Sequence, residues 1–131
     1  MQPEVWGEPA WTFLHTITLN YPENPTIKEK ENYSTFFNLL SEMLPCDRCK
    51  EHYKKNIKEN PINLDSKEEL TKWLFDIHNK VNESKGKPIY DYDDFIDKYS
   101  EMYSPIDRKK YIYIIVLIIL LLIFFIYKFF N

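Results

Sequence analysis

The sequence predicts an all-α protein: a four-helix bundle with a short fifth helix, plus one C-terminal transmembrane helix. Three observations carry that expectation. Apolar residues recur at three- and four-residue spacing in several separate segments, which is the period of a helix with one buried face. No stretch alternates apolar and polar residues in the way a half-buried strand does. Near the end, Tyr111–Tyr127 reads YIYIIVLIILLLIFFIY, seventeen residues without a charge.

Met1–Gly7 reads as a short lead-in. The first helix is expected over Glu8–Leu19, with Trp11, Leu14, His15 and Thr18 on one face. Tyr21–Pro25 is a turn, in which Asn24 can cap a second helix with Pro25 at its first position. That helix runs to about Met43 and carries the stripe Tyr33, Phe36, Phe37 and Leu40. Leu44-Pro45 breaks the chain. A third helix is expected from Cys46 to Glu59, stopped by Asn60-Pro61. Ser66 with Glu69 has the form of a capping box. It opens a fourth helix through Leu70, Trp73, Leu74, Ile77 and Val81 to about Glu83. Ser84–Tyr90, with Gly86 and Pro88, is a loop, and a shorter fifth helix over about Asp93–Met102 packs Phe95, Ile96 and Tyr99. Connections this short suit a compact bundle. The expected organisation is a helical domain over residues 1–104, a basic linker over 105–110 and a membrane anchor over 111–130.

The apolar run covers roughly 25 Å as a helix, the lower edge of a bilayer span, and Phe129 and Phe130 can extend it past a snorkelling Lys128. Tyrosines at both ends suit the interfacial belt. A buried core helix would keep a polar stripe, and this run has none. It cannot be a cleaved secretory signal, because it lies at the wrong end. Arg108, Lys109 and Lys110 precede it while only Lys128 follows, an asymmetry that marks the N-terminal side as cytoplasmic. A span so late in the chain inserts after synthesis. The expectation is a single-pass tail anchor with the domain in the cytoplasm or on a membrane's cytoplasmic face.

Composition excludes several functions. The chain has two glycines, too few for a phosphate-cradling loop or a dinucleotide fingerprint. Setting aside Arg108, Lys109, Lys110 and Lys128 leaves 13 basic residues against 20 acidic ones, so the preceding part carries −7 formally. That balance offers no basic patch for nucleic acid. Two cysteines do not make a disulfide-stapled secreted scaffold.

Both cysteines lie in Pro45-Cys46-Asp47-Arg48-Cys49. A Cys-x-x-Cys at a helix N-terminus supports thiol–disulfide chemistry, because the helix end stabilises a thiolate. The same spacing can be half of a zinc site or a pair of inert core residues. A zinc site would recruit Cys46 and Cys49 with His52 or His78, but it leaves the tryptophans and Asn79 and Asn82 unexplained. A lone helical histidine is usually structural. Two histidines, two asparagines and several tryptophans in one bundle can instead stack on a flat ring and bond its polar edges.

Taken together, these pieces resemble the Erv/ALR family of FAD-linked sulfhydryl oxidases. The matching residues are Trp11-x-x-x-His15-Thr16, Tyr21-Pro22-x-x-Pro25-Thr26, Pro45-Cys46-x-x-Cys49, Trp73-Leu74, His78-Asn79-x-Val81-Asn82 and Gly86-Lys87-Pro88. They stand in the family's order and cover roughly Val5–Tyr103. The resemblance implies a bundle that holds FAD, with Gly7, Trp11 and His15 touching the cofactor. His78, Asn79, Val81 and Asn82 would line its adenine and ribose side, with Lys87 near the phosphates and Tyr99 where the family often has tryptophan. Cys49 would face the flavin ring and Cys46 the substrate. The implied reaction oxidises thiols in a protein substrate and passes electrons through the flavin to oxygen, giving hydrogen peroxide. The family often forms dimers through its first helices.

The chain also departs from the family pattern. Many members have a structural cysteine pair where Phe75 and Tyr92 stand here, and an aromatic pair could cover the same spot by burial. A basic residue often found two positions after the second asparagine is Ser84 here, followed by Lys85. Larger members carry a second, shuttling cysteine pair. Its absence here leaves direct attack by substrate, or a separate Cys-x-x-Cys relay protein with a basic face. By analogy, a minimal cytoplasmic oxidase also suits a late protein of a virus that assembles disulfide-bonded proteins there. The competing reading is a membrane-anchored helical adaptor whose Cys-x-x-Cys is structural or binds zinc.

Overall fold

The computed structural model describes residues 2–104 and 108–130. Pro105, Ile106 and Asp107, half of the expected linker, lie outside the described residues, as do the side chains at 108–111. All regular elements among the described residues are helices: α1 (Pro3–Leu19), α2 (Ile27–Met43), α3 (Asp47–Glu59), α4 (Lys67–Ser84), α5 (Tyr92–Tyr103) and α6 (Arg108–Phe130). They fall into two compact units, residues 1–92 and 93–131. The first holds α1–α4; the second holds α6 and all of α5 beyond Tyr92.

Within the first unit α1 packs on α4, α2 on α3, and α3 on α4. The core is built from Leu14, Tyr21, Phe37, Tyr53, Leu70, Trp73, Leu74 and Ile77. Three of these have polar atoms, and each is satisfied by a backbone carbonyl, as buried polar groups require. Tyr21 Oη donates to Leu64 O at 3.0 Å, Tyr53 Oη to Phe37 O at 2.9 Å, and Trp73 Nε1 to Asn60 O at 2.9 Å. These bonds tie the loop before α4 and the α2–α3 pair to one centre.

Two helix starts differ from the expected ones. α1 begins at Pro3, not Glu8. Proline at the first helical position costs no hydrogen bond, and its fixed φ favours the helix. Residues read as a lead-in therefore form an additional helical turn, with Pro9 inside the helix. α2 begins at Ile27, so Asn24 is not its cap. Thr26 takes that role: Glu29 N donates to Thr26 Oγ1 at 3.2 Å, and Thr26 N donates to Glu29 Oε2 at 2.7 Å. A reciprocal box satisfies two otherwise free donors, which a lone Asn-Pro cannot do. At α4 Ser66 caps as expected, accepting from Glu69 N at 3.2 Å, but the Glu69 carboxylate instead accepts from Asn63 Nδ2 at 2.9 Å.

The expected aromatic replacement is present. Phe75 is buried and meets Tyr92 edge to face, with ring centroids 5.1 Å apart and planes at 76°. Lys72 Nζ sits 5.5 Å from the Phe75 centroid and pairs with Asp76 at 2.5 Å. In the second unit, Phe95 and Tyr99 are buried, with centroids 4.8 Å apart. Over Ile112–Phe129, α6 is long and apolar enough to cross a membrane.

A candidate redox cleft at the start of α3

The two cysteines are joined as a disulfide at the start of α3, with Cα atoms 5.1 Å apart. Leu44-Pro45 ends α2 and turns the chain, so that Cys46 is the N-cap of α3 with extended backbone. Its Sγ accepts from Cys49 N at 3.3 Å. Cys46 thus occupies the end of a helix, where backbone donors and the macrodipole favour negative charge. Cys49 lies one turn further in and lines a cleft of about 650 Å³, open mouth included.

α1 supplies one wall of this cleft. Trp6, Gly7, Ala10, Trp11 and Leu14 recur at helical spacing on its cleft-facing side. The early start of the helix at Pro3 is what brings Trp6 and Gly7 into line with the later residues. α2 and its C-cap add Leu40 and Leu44; α3 adds Cys49, His52 and Tyr53; α4 and its cap add Val81 and Lys85. Burial holds the Tyr53 phenol well above its ordinary pKa, so this wall stays neutral. At Gly7 an added Cβ would meet no atom within 4 Å, so glycine leaves space open there. The cleft is broad and apolar, and it is walled by two indoles.

Beside Trp11 stands a stack of rings. The Trp11 and His78 rings are 4.0 Å apart between centroids and within 8° of parallel. His15, fully buried on α1, brings Nε2 to 3.0 Å from His78 Nδ1 on α4. The first-helix and fourth-helix candidates therefore meet. Asn82 is also buried, and its Nδ2 has no partner. The indole Nε1 of Trp6 is in the same position. Unsatisfied buried donors are rare and point to a missing acceptor.

Other candidates are placed differently. Asn79 uses its side chain on the chain itself, donating to Tyr90 O at 3.0 Å and accepting from Tyr90 N at 2.9 Å. It fixes the loop between α4 and α5. Lys87 is exposed beyond Gly86, whose φ of 63° closes α4: Gly86 N donates to Glu83 O and Lys87 N to Asn82 O. This turn is a Schellman motif, and it sets Lys85 as the last residue of the cap. Tyr99 belongs to the second unit. Sequence reasoning singled out neither Trp6 nor Lys85 as a site residue. Pro3 was the available signal for Trp6, since proline at a helix start would have extended α1; Lys85 follows Val81 by one turn.

Residues 8–101 match the Erv1/Alr family. The chain is 39% identical over 119 residues to a probable FAD-linked sulfhydryl oxidase of Acanthamoeba polyphaga mimivirus, covering 88% of this chain and 83% of that protein. It is 42% identical over 84 residues to an FAD-linked sulfhydryl oxidase of Arabidopsis thaliana, covering 64% of this chain and only 44% of that protein. The crystal structure of the FAD-binding domain of Erv1 from Saccharomyces cerevisiae superposes with a TM-score of 0.67 at 38% identity, covering 70% of this chain and 87% of that one.

Proposed function

The chain belongs to the Erv1/Alr family, and from that premise we propose that it is an FAD-dependent thiol oxidase that forms disulfide bonds in protein substrates. The observation that carries this reading is the position of the disulfide: Cys46 caps α3 while Cys49 lines an apolar cleft walled by Trp6 and Trp11.

The residues fit FAD. The cleft offers apolar walls and an open space at Gly7 for a flat ring, and the buried Nδ2 of Asn82 offers a donor without a partner. Gly7, Trp11 and Val81 would hold the ring system. His15, His78 and Asn82 would hold the adenine and ribose side, with Lys87 toward the phosphates and Asn79 acting through the loop it fixes. Tyr99 is assigned to the cofactor on the family pattern alone. Bound FAD supplies what the side chains lack, a two-electron acceptor for the inner thiolate that oxygen can reoxidise with release of hydrogen peroxide.

The chain's own part is thiol exchange. A substrate thiolate attacks Cys46 Sγ, and Cys49 leaves as the thiolate. A second substrate thiol then resolves the mixed disulfide, and the departing Cys46 sulfur is favoured by the α3 N-terminus. The substrate is a protein dithiol or a small Cys-x-x-Cys relay protein. The −7 formal charge before Arg108 would steer a partner with a basic face. A homodimer across α1 is supported by Val5 and Phe13, which are 71% and 61% exposed on that helix.

α6 serves as a membrane anchor, oriented by its flanking charges with the first unit on the cytoplasmic side. Similarity to a viral protein supports the analogy with a virus that forms disulfides in that compartment. The test of the reaction is oxygen uptake with a reduced protein dithiol. Wild-type chain consumes oxygen and yields peroxide while Cys46→Ser and Cys49→Ser do not; equal turnover by either variant would refute the assignment.

A further inference from the structure

α6 carries a dimension that the thiol chemistry does not use: the spacing of its polar-tipped side chains along an otherwise apolar helix. No face of that helix is covered by protein among the described residues. The least exposed large apolar side chain between Ile112 and Phe129 is Ile114, still 45% exposed. Packing against a neighbouring helix therefore does not fix how α6 sits in a bilayer. The residues that seek the interface do.

Those residues stand close together. The apolar window Ile112–Phe129 has 18 residues, which is about 27 Å of helix. Lys110 and Lys128 bracket the run at about the same separation, and Tyr113 and Tyr127 lie about 21 Å apart along the axis. An average hydrocarbon core is about 30 Å thick. A sterol-rich plasma membrane is about 32 Å, whereas endoplasmic-reticulum membranes are about 27 Å. In the thicker core Tyr127 and Lys128 sink below the headgroups on one side, or the bilayer thins around the helix. Phe129 and Phe130 add apolar length only by drawing those same two residues inward. Snorkelling returns the Lys128 charge to the interface, but each ångström of mismatch still carries a cost.

We infer that α6 is matched to a thin, sterol-poor bilayer with a hydrocarbon core of about 27 Å, and is disfavoured in a thicker one. The inference rests on the reading of α6 as the membrane anchor and on nothing in the oxidase chemistry. Its consequence for function is spatial. The first unit would meet thiol substrates beside a membrane of the endoplasmic-reticulum class and not beneath a sterol-thickened plasma membrane.

The test uses the full-length chain, diluted from detergent into vesicles of dipalmitoleoyl-, dioleoyl- or dierucoyl-phosphatidylcholine, a series of rising thickness. Retention after an alkaline carbonate wash and flotation is the readout. Retention is highest in the dipalmitoleoyl vesicles and falls about tenfold in the dierucoyl ones, as expected for several ångströms of mismatch. A chain with about five leucines inserted after Leu120 has a span longer by about 7 Å, and its preference reverses. Equal or better retention of the natural chain in dierucoyl vesicles would overturn the inference, as would a lengthened chain whose preference does not move. Failure to float with any of the vesicles would remove the anchor itself and the inference with it. The flavin colour of the same preparation reports separately on the oxidase reading.

Discussion

His15 Nε2 and His78 Nδ1 lie 3.0 Å apart, bridging α1 and α4, and the His78 ring lies flat on Trp11. One imidazole must donate and the other accept, so the pair fixes both rings as well as the helix pairing. His78→Ala removes the bond and uncovers one face of Trp11. The expected cost is about 1–3 kcal/mol in urea unfolding, with a red shift of tryptophan emission. His78→Phe keeps the ring and should recover part of the stability but not the hydrogen bond.

Phe75 and Tyr92 form another ring contact between different elements, with Lys72 above them. Phe75→Ala opens a cavity in a buried site and is expected to cost about 3–5 kcal/mol. Because this corner holds no cysteine, dithiothreitol should weaken the protein only through Cys46–Cys49. A wild-type and a Phe75→Ala melt, each with and without reductant, separate the two contributions.

Tyr53 links stability to alkaline pH. Its folded pKa is raised by burial, so the native state keeps a proton that the unfolded chain releases from about pH 10 upward. Stability is therefore complete below that pH and falls as pH rises further toward the folded pKa. Tyr53→Phe loses the bond to Phe37 O, about 1 kcal/mol at neutral pH. Its denaturation midpoint should then fall less steeply between pH 9 and 11 than that of the wild type.

The charges around α6 predict an orientation. With full-length chain inserted in sealed vesicles, external protease should digest the first unit, because Arg108, Lys109 and Lys110 keep their side of the span cytoplasmic. Protection of that unit would place it in a lumen.

Much of this was legible from local pattern. α4 could be read almost to the residue, because Ser66 marks its start and Leu70, Trp73, Leu74 and Ile77 hold strict helical spacing. The aromatic pair at Phe75 and Tyr92 was foreseeable because the family resemblance marks both positions at once and both hold aromatic residues. The starts of α1 and α2 were harder. Gly7 and Pro9 look like breakers although packing overrides them, and Asn24-Pro25 imitates a cap that Thr26 and Glu29 form. Trp6 and Lys85 were missed for another reason. Their role depends on three helices converging around Cys49, and no single segment encodes that convergence.

The central claim is that Cys49 works against a bound flavin. The most direct measurement is the visible spectrum of purified full-length protein. Wild type should be yellow, absorbing near about 450 nm as flavoproteins do, and should bleach when a dithiol is added without oxygen. Cys46→Ser should add a long-wavelength charge-transfer band from the Cys49 thiolate, and Cys49→Ser should lack it. A colourless, zinc-containing preparation would contradict the account, and the band appearing in Cys49→Ser alone would reverse the two sulfurs.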